Sequence, residues 1–167
     1  YDGAFEQLMA AIGDAFGAAA PLHEATDVLK AVAARDEGFT AIKLKPFLGD
    51  WAVQTSARML GTVAQTVLDT REALGWDIDI AVEMHRNLPP DQAGTFADLV
   101  RPMRPYFLED PVMPFSTAAN LAAARSMGGT VALAERATNI WEFRDISDSP
   151  DVAILRPDIG LAGGFTQ

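Results

Sequence analysis

Three strand-like runs in this chain each end in a glutamate, and equal intervals separate the glutamates. The runs are Ile78 to Glu83, Pro105 to Glu109 and Thr130 to Glu135, so successive glutamates are 26 residues apart. A strand, its crossover helix and the start of the next strand need about this length. The spacing therefore predicts parallel strands that bring three carboxylates side by side at one edge of a sheet.

Hydrophobic periodicity alternates along the chain between helical and strand intervals. Helices are predicted over residues 5–19, 24–37, 55–74, 91–103, 116–127 and 140–147, and strands over 39–45, 78–83, 105–109, 130–135 and 152–156. The strands are almost wholly apolar, as is typical of strands buried on both faces. Five strands that each follow a helix predict a parallel sheet with right-handed crossovers.

Two fold classes have a parallel sheet of this period, the open doubly wound sheet and the (β/α) barrel. A doubly wound nucleotide fold has a glycine-rich turn after an early strand, but the turns here read PFLGDW after Lys45 and MHRNLPP after Glu83. Barrel enzymes place single catalytic side chains at the carboxyl ends of successive strands, which is the pattern of this chain. We predict an α/β fold of the TIM-barrel type over residues 23–167, preceded by a helical segment at 1–22.

The amino-acid composition limits the classes of molecule that the chain can bind. The formal net charge of −10 disfavours nucleic acids and anionic membranes, because basic surfaces supply most of the affinity for both. The sequence has no cysteine, which excludes disulfides and thiolate metal sites. The apolar runs are much shorter than the roughly 20 residues of a membrane-spanning helix. We expect a cytoplasmic protein with a small-molecule partner.

The carboxylates of Glu83, Glu109 and Glu135 predict a metal site. Three carboxylates repel one another, so their convergence is costly unless a cation neutralises them. Oxygen ligands without histidine or cysteine favour Mg²⁺, with Mn²⁺ as the alternative, over zinc. Any one of these glutamates alone is better explained by a helix cap or a solvated turn, but their equal spacing favours the metal.

Lys43 and Lys45 are two residues apart in a predicted strand, so they project to the same face of the sheet. Two lysines inside a buried strand are costly unless they have a function there. Each disfavours the charged form of the other, which favours a neutral amine that acts as a base near pH 7. The alternative is an edge strand whose lysines are solvated.

Three further residues are candidates by their position. His85 follows Glu83 by two residues and is a proton donor to a leaving hydroxyl, a metal ligand or a structural histidine. Asp158 and the glycines after it end the last predicted strand, where they approach a ligand, bind phosphate or form a plain turn. Arg136 either meets a substrate carboxylate or pairs with a neighbouring acid.

In combination, these motifs resemble the mandelate racemase branch of the enolase superfamily, and most closely its acid-sugar dehydratases of the galactonate, gluconate and mannonate type. The resemblance extends over residues 24–167 and rests on Lys-x-Lys, an acid-x-His, FLEDP, ALAER and RPDIGLAGGFT in that order. It implies a Mg²⁺-dependent hydro-lyase that converts an aldonate or uronate to a 2-keto-3-deoxy acid through an enediolate.

The resemblance also implies roles for the three glutamates and the two lysines. Glu83, Glu109 and Glu135 match the family's metal ligands. Lys45 matches the base on the second barrel strand, and Lys43 matches the neighbour that tunes the pKa of that base.

The resemblance implies roles for three more residues, and the chain departs from the family pattern at two positions. His85 matches the histidine that protonates the departing 3-hydroxyl, Asp158 matches the aspartate of an Asp-His pair, and Asp110 lies behind the metal ligands. Glu83 stands where aspartate is commoner, and Ala134 stands where the family usually has glycine.

The resemblance further implies that this chain is part of a longer enzyme, about twice its length, which we expect to be a homo-oligomer. Relative to the family, the seventh and eighth strands, the dyad histidine and a capping domain are missing, so we expect this piece alone to be inactive. Two rivals remain. One is a racemase or epimerase of the same superfamily, and the other is a non-catalytic binding module that needs no metal.

Overall fold

Six parallel strands form one sheet in the computed structural model of the protein, which describes residues 23–25, 27–47 and 55–164. The strands are β1 (His23–Ala25), β2 (Ala41–Leu44), β3 (Asp79–Glu83), β4 (Leu108–Glu109), β5 (Val131–Leu133) and β6 (Ile154–Leu155). The predicted helix over residues 5–19, and with it the segment 1–22, lies outside the described residues.

The order of the strands in space is the order in the chain, β1 to β6, and every neighbouring pair is parallel. A doubly wound sheet reverses its strand order at a switch point, whereas a (β/α) barrel adds each new strand beside the previous one. The described sheet never reverses, so the predicted barrel-type α/β fold is confirmed.

Within the described ranges, five α-helices connect the strands: α1 (Val28–Asp36), α2 (Ser56–Leu74), α3 (Ala93–Val100), α4 (Thr117–Met127) and α5 (Ile140–Ser147). Single 3₁₀ turns at Pro90–Gln92 and Arg101–Met103 flank α3. No helix within the described ranges has both the length and the apolar character needed to cross a membrane.

Helix starts follow from N-cap side chains. Thr55 accepts a hydrogen bond from the Arg58 amide, Ser116 accepts one from Ala119, and Asn139 caps α5 in the same way. Such caps satisfy amides that have no partner within the helix. They place α2, α4 and α5 within one residue of the predicted bounds.

The prediction was wrong at the first helix and incomplete in the sheet. Asp27 caps α1, so this helix begins at Val28, and residues 23–25, of which 24 and 25 were predicted as helix, form β1 beside β2. A strand of three residues is too short for an alternating pattern to show. The predicted helix 91–103 is divided because Pro102 lacks an amide donor, and the last turn becomes 3₁₀.

The two faces of the sheet bury different side chains. Ile80 and Val82 of β3 belong to the main core with the helices, whereas Ala81 packs with Phe107 and Ala132 on the other face. This is the alternation expected of a strand. At the carboxyl edge the second face carries charged rather than apolar residues, and this edge is the candidate site.

One buried arginine joins α2 to the sheet. The Arg71 guanidinium donates hydrogen bonds to the carbonyl oxygens of Met103, Gly75 and Ile78 at 3.0, 2.9 and 2.7 Å. It also lies 4.9 Å from the centroid of the Trp76 ring. Arg71 therefore fixes the end of α2 to the start of β3.

Candidate active site

Two of the three predicted carboxylates are direct neighbours across the sheet. Glu83 ends β3, Glu109 ends β4, and the two are register partners. Each residue is only 2% exposed. Glu135 follows in the turn two residues beyond the end of β5. The three glutamates thus follow the carboxyl ends of three adjacent strands.

Lys43 lies between the two buried glutamates. Its Nζ atom is 2.9 Å from Glu83 Oε2 and 3.4 Å from Glu109 Oε2. Lys45 Nζ is 3.9 Å from Glu83 Oε2. The lysines therefore share a face of the sheet, and that face contains Glu83.

The protonation of Lys43 is determined by its carboxylate neighbours. Burial lowers the pKa of Lys43, but the hydrogen bond to Glu83 and the negative charges of Glu109 and Glu83 outweigh it and raise the pKa above its usual value. The sequence predicts that the lysine pair frees one amine, and the raised pKa of Lys43 means that this amine is not that of Lys43. Lys43 is a charge partner of the carboxylates, while the role of Lys45 as the base stays a prediction.

The two carboxylate oxygens of Glu109 differ in their partners. One accepts a hydrogen bond from an arginine, and the other accepts none within the described residues. Arg156, just past β6, places its Nε 3.2 Å from Glu109 Oε1. Glu109 Oε2 is buried and makes no hydrogen bond within the described part of the chain, although the Lys43 ammonium is within ion-pair distance. A buried acceptor without a hydrogen bond is costly, and the nearby positive charge of Lys43 offsets part of that cost.

A second charge cluster involves Arg86, Asp110 and Glu135. The Arg86 Nη1 atom lies 3.2 Å from Asp110 Oδ2 and donates a short hydrogen bond to Glu135 Oε2. Burial, the hydrogen bond to Glu135 and neighbouring carboxylate charges raise the pKa of Asp110 to about 7. Burial also raises the pKa of Glu135, but Arg86 outweighs this and lowers it overall.

The backbone at these strand ends is strained. His85, Arg86, Asp110 and Ala134 have φ values of 48°, 65°, 43° and 91°. Left-handed residues other than glycine are uncommon and concentrate at functional sites. The value at Ala134 gives the physical reason for a glycine at this position in the family pattern, since glycine adopts positive φ without a steric penalty.

His85 does not continue the strand. Met84 is buried in the main core, the chain then turns, and His85 is exposed. Burial and the positive charges of Arg86 and Lys45 lower the pKa of His85. His85 therefore does not share a strand face with Glu83, and its role as a proton donor stays a prediction.

Asp158 makes the contacts of a plain turn, and Arg136 lies beside a small cavity. Asp158 Oδ1 accepts hydrogen bonds from the amides of Gly160 and Leu161 at 2.8 and 3.1 Å, which closes a turn. Arg136 lines a cavity of about 40 Å³ beside Asp110. This volume suits a water molecule rather than a sugar acid. The proposed roles of Asp158 and Arg136 stay predictions.

Of the three predicted metal ligands, Glu83 and Glu109 are suited to bind a metal ion, whereas Glu135 already has another partner. Glu83 and Glu109 are adjacent, have only oxygen donors, and include the unbonded Glu109 Oε2. Glu135 is engaged by Arg86. In the described ranges, no three side chains of the metal-binding types converge closely enough to hold an ion, so the predicted sharing of one cation by all three glutamates stays a prediction.

Arg86 and Arg156 are the site residues that the sequence patterns did not identify as functional. Both follow the carboxyl end of a strand, and both pair with buried carboxylates. The available signal was charge balance, because several buried carboxylates require buried cations. Two lysines alone do not balance three glutamates.

Comparisons with known proteins agree with this architecture. Residues 27–167 match the family model described as Enolase C-terminal domain-like. D-galactonate dehydratases from Klebsiella pneumoniae and Cronobacter sakazakii are 29% and 28% identical to the chain over 133 residues. These matches cover 80% of this chain and 35% of each dehydratase, so the chain spans about a third of the length of the curated relatives it matches.

A solved structure gives the same result for the fold. A member of the enolase superfamily from Salmonella Typhimurium superposes with a TM-score of 0.77 at 26% identity. The superposition covers 86% of this chain and 40% of that structure. The described strands and helices therefore correspond to part of a larger known fold.

Proposed function

Because the chain belongs to the Enolase C-terminal domain-like family, we propose that it is the barrel part of a lyase that removes water from a sugar acid. The observation that carries the proposal is the placement of Lys43, Lys45 and Glu83 within ion-pair distance at the carboxyl edge of the sheet. This is the edge at which barrel enzymes act. The names of the two dehydratase relatives support the same reaction class.

Mg²⁺ is the proposed cofactor, with Mn²⁺ as the alternative. Glu83 and Glu109 would hold it, and Glu135 would be the third ligand. A bound divalent cation would neutralise the substrate carboxylate and stabilise the negative charge that develops when the neighbouring C–H bond is broken. All the donors are carboxylate oxygens, and those of Glu83 and Glu109 are buried, which supports this choice.

The remaining steps use side chains of this chain. Lys45 accepts the proton from the carbon next to the substrate carboxylate, and Lys43 stays protonated between Glu83 and Glu109. The C–O bond at the next carbon then breaks, and His85 protonates the departing hydroxyl so that it leaves as water. The lowered pKa of His85 makes its imidazolium a stronger acid, although it reduces the protonated fraction at neutral pH.

The proposal is tested by incubating the full-length protein with a panel of aldonic and uronic acids in the presence of Mg²⁺. We expect a 2-keto-3-deoxy acid from at least one member of the panel, and loss of the product after chelation. A protein that binds the ion and yields no such product would contradict the proposal. Recovery of substrate with its α-proton exchanged in D₂O would instead favour a racemase.

A further inference from the structure

Arg156 lies on the face of the sheet that carries the proposed catalytic residues. Ile154 of β6 packs against Ala81, Phe107 and Ala132 on that face. Arg156 follows Ile154 by two residues, which in an extended chain returns its side chain to the same face. Its guanidinium carbon lies 5.7 Å from the centroid of the Phe107 ring. Because a guanidinium is attracted to the face of an aromatic ring, this contact restricts the Arg156 side chain.

A small residue on the strand between them lets Arg156 contact Glu109. Glu109 of β4 pairs with Ala132 of β5, and Ala132 pairs with Ile154 of β6. At this register β5 contributes a methyl side chain, which leaves room for the longer Arg156 side chain to cross the strand. The Arg156 Nε atom lies 3.2 Å from Glu109 Oε1. Glu109 is therefore contacted by Arg156 from the β6 side and by Lys43 from the β2 side.

The contact to Glu109 uses only part of the Arg156 guanidinium. Nε donates the hydrogen bond to Glu109, and the two Nη atoms, which carry the other N–H groups, donate none to the residues that the structure describes. The Glu109 side chain is 3% exposed, whereas that of Arg156 is 37% exposed. Because Nε is held against a buried carboxylate, the Nη side of the guanidinium is the part that a ligand can contact.

The Nη atoms of an arginine match a carboxylate, because their planar N–H groups bind both carboxylate oxygens at once. Arg156 enters the charged edge from the β6 side and Lys45 from the β2 side, and Glu83 and Glu109 lie between them. We propose that Arg156 binds the carboxylate of the sugar acid and so directs the rest of the substrate towards Lys45. The inference rests on the proposed function for the identity of its ligand, but the contact requires neither a divalent cation nor turnover.

Calorimetric titration of the full-length protein, after chelation of metal ions, tests this contact. D-galactonate and D-galactonamide differ only in the carboxylate, so the ratio of their Kd values measures how well that group is recognised. We expect the wild type to bind the acid about tenfold or more tightly than the amide, the scale of a hydrogen bond to a charged group. Arg156→Gln should reduce this ratio to about threefold or less. A loss of packing alone would weaken both ligands equally.

A second variant separates the paired donors of Arg156 from its charge. Arg156→Lys keeps a positive charge beside Glu109 but loses the planar pair of donors, so its ratio should fall about threefold or more below that of the wild type. The control is Arg125→Gln, which breaks the exposed Arg125–Asp151 ion pair of 2.9 Å and should keep the wild-type ratio.

The outcomes separate the inference from the function on which it rests. A wild-type ratio in either folded Arg156 variant would overturn the carboxylate contact, and so would a wild-type protein that binds the acid no better than the amide. If Arg156→Gln does not fold, Arg156→Lys decides by the same criterion. A protein whose preference for the acid depends on Arg156, but which forms no 2-keto-3-deoxy acid with Mg²⁺, would support the contact and contradict the proposed function.

Discussion

The charge of each buried residue at the carboxyl edge depends on its neighbours. Lys43 keeps its proton because two buried carboxylates lie within 3.4 Å of its ammonium, and their hydrogen bond and charges raise its pKa despite its burial. Breaking such a pair leaves one uncompensated charge in a poorly solvated place, which costs more than the pair itself contributes. Substituting one charged residue of this edge at a time therefore measures how strongly the charges stabilise one another.

Lys43→Met should lower the free energy of unfolding by about 3 kcal/mol, since Glu83 and Glu109 lose their shared cation. Chemical denaturation of the full-length protein measures this value. Lys30→Met is the matched control, because Lys30 is exposed and lies 3.8 Å from Asp27; its effect should stay below about 0.5 kcal/mol. Equal stability of the two variants would show that the Lys43 cluster is not a coupled unit.

Ala134→Gly and Ala132→Gly should differ in stability although the substitution is the same. In both, a glycine loses backbone entropy worth about 0.5–1 kcal/mol and a buried methyl group worth about 0.8 kcal/mol. At Ala134, whose φ is 91°, relief of the left-handed strain returns about 1–2 kcal/mol. We expect Ala134→Gly to be nearly neutral and Ala132→Gly, in β5, to destabilise by about 1.5 kcal/mol. Equal losses in thermal unfolding would refute the strain at Ala134.

At the scale of helices and strands, the sequence predicted those helix ends that depend on residues only a few positions away. Thr55 and Gly75 bound α2 in the sequence and in the structure, because capping and a helix-ending glycine act within a few residues. β1 was missed because only its pairing with β2 makes it a strand. The turn at His85 was missed because successive positive φ values at non-glycine residues leave no pattern in sequence.

The attachment of α2 to the sheet is itself testable. Arg71→Gln removes charged donors from the carbonyl groups of Met103, Gly75 and Ile78, and we expect a loss of about 3 kcal/mol in the free energy of unfolding. Arg58→Gln changes an exposed arginine of the same helix and should stay within about 0.5 kcal/mol of wild type. A loss at Arg71 no larger than that at Arg58 would exclude the proposed attachment.

At the scale of the molecule, the repeating interval between glutamates and the absence of a glycine-rich turn predicted a barrel-type sheet, and the strand order confirms it. The position of the glutamates at one edge follows from parallel pairing alone. The balance of that edge by Arg86 and Arg156 could not be predicted, because it depends on side chains that meet across 24 and 47 residues of sequence. Three-dimensional contacts of that kind have no periodic signature.

The 167-residue chain expressed alone should lack dehydratase activity and should self-associate. It spans 35% of the length of its dehydratase relatives, and β1 and β6 are the outer strands of the described sheet. Exposed strand edges favour association between chains. Light scattering after size exclusion, combined with the sugar-acid assay, measures both properties. A monodisperse chain with turnover of about 1 s⁻¹ or more would be inconsistent with this expectation.

The central claim is that the carboxyl edge of this sheet removes the α-proton of a sugar acid through Lys45. The most direct measurement is the release of deuterium from substrate labelled at the α-carbon, made on the full-length protein and its Lys45→Ala variant. The account predicts release by the wild type, a reduction of about 10² or more in the variant, an unchanged Kd for Mg²⁺, and no effect of Lys30→Ala. Release at the wild-type rate by the Lys45→Ala variant would contradict the claim.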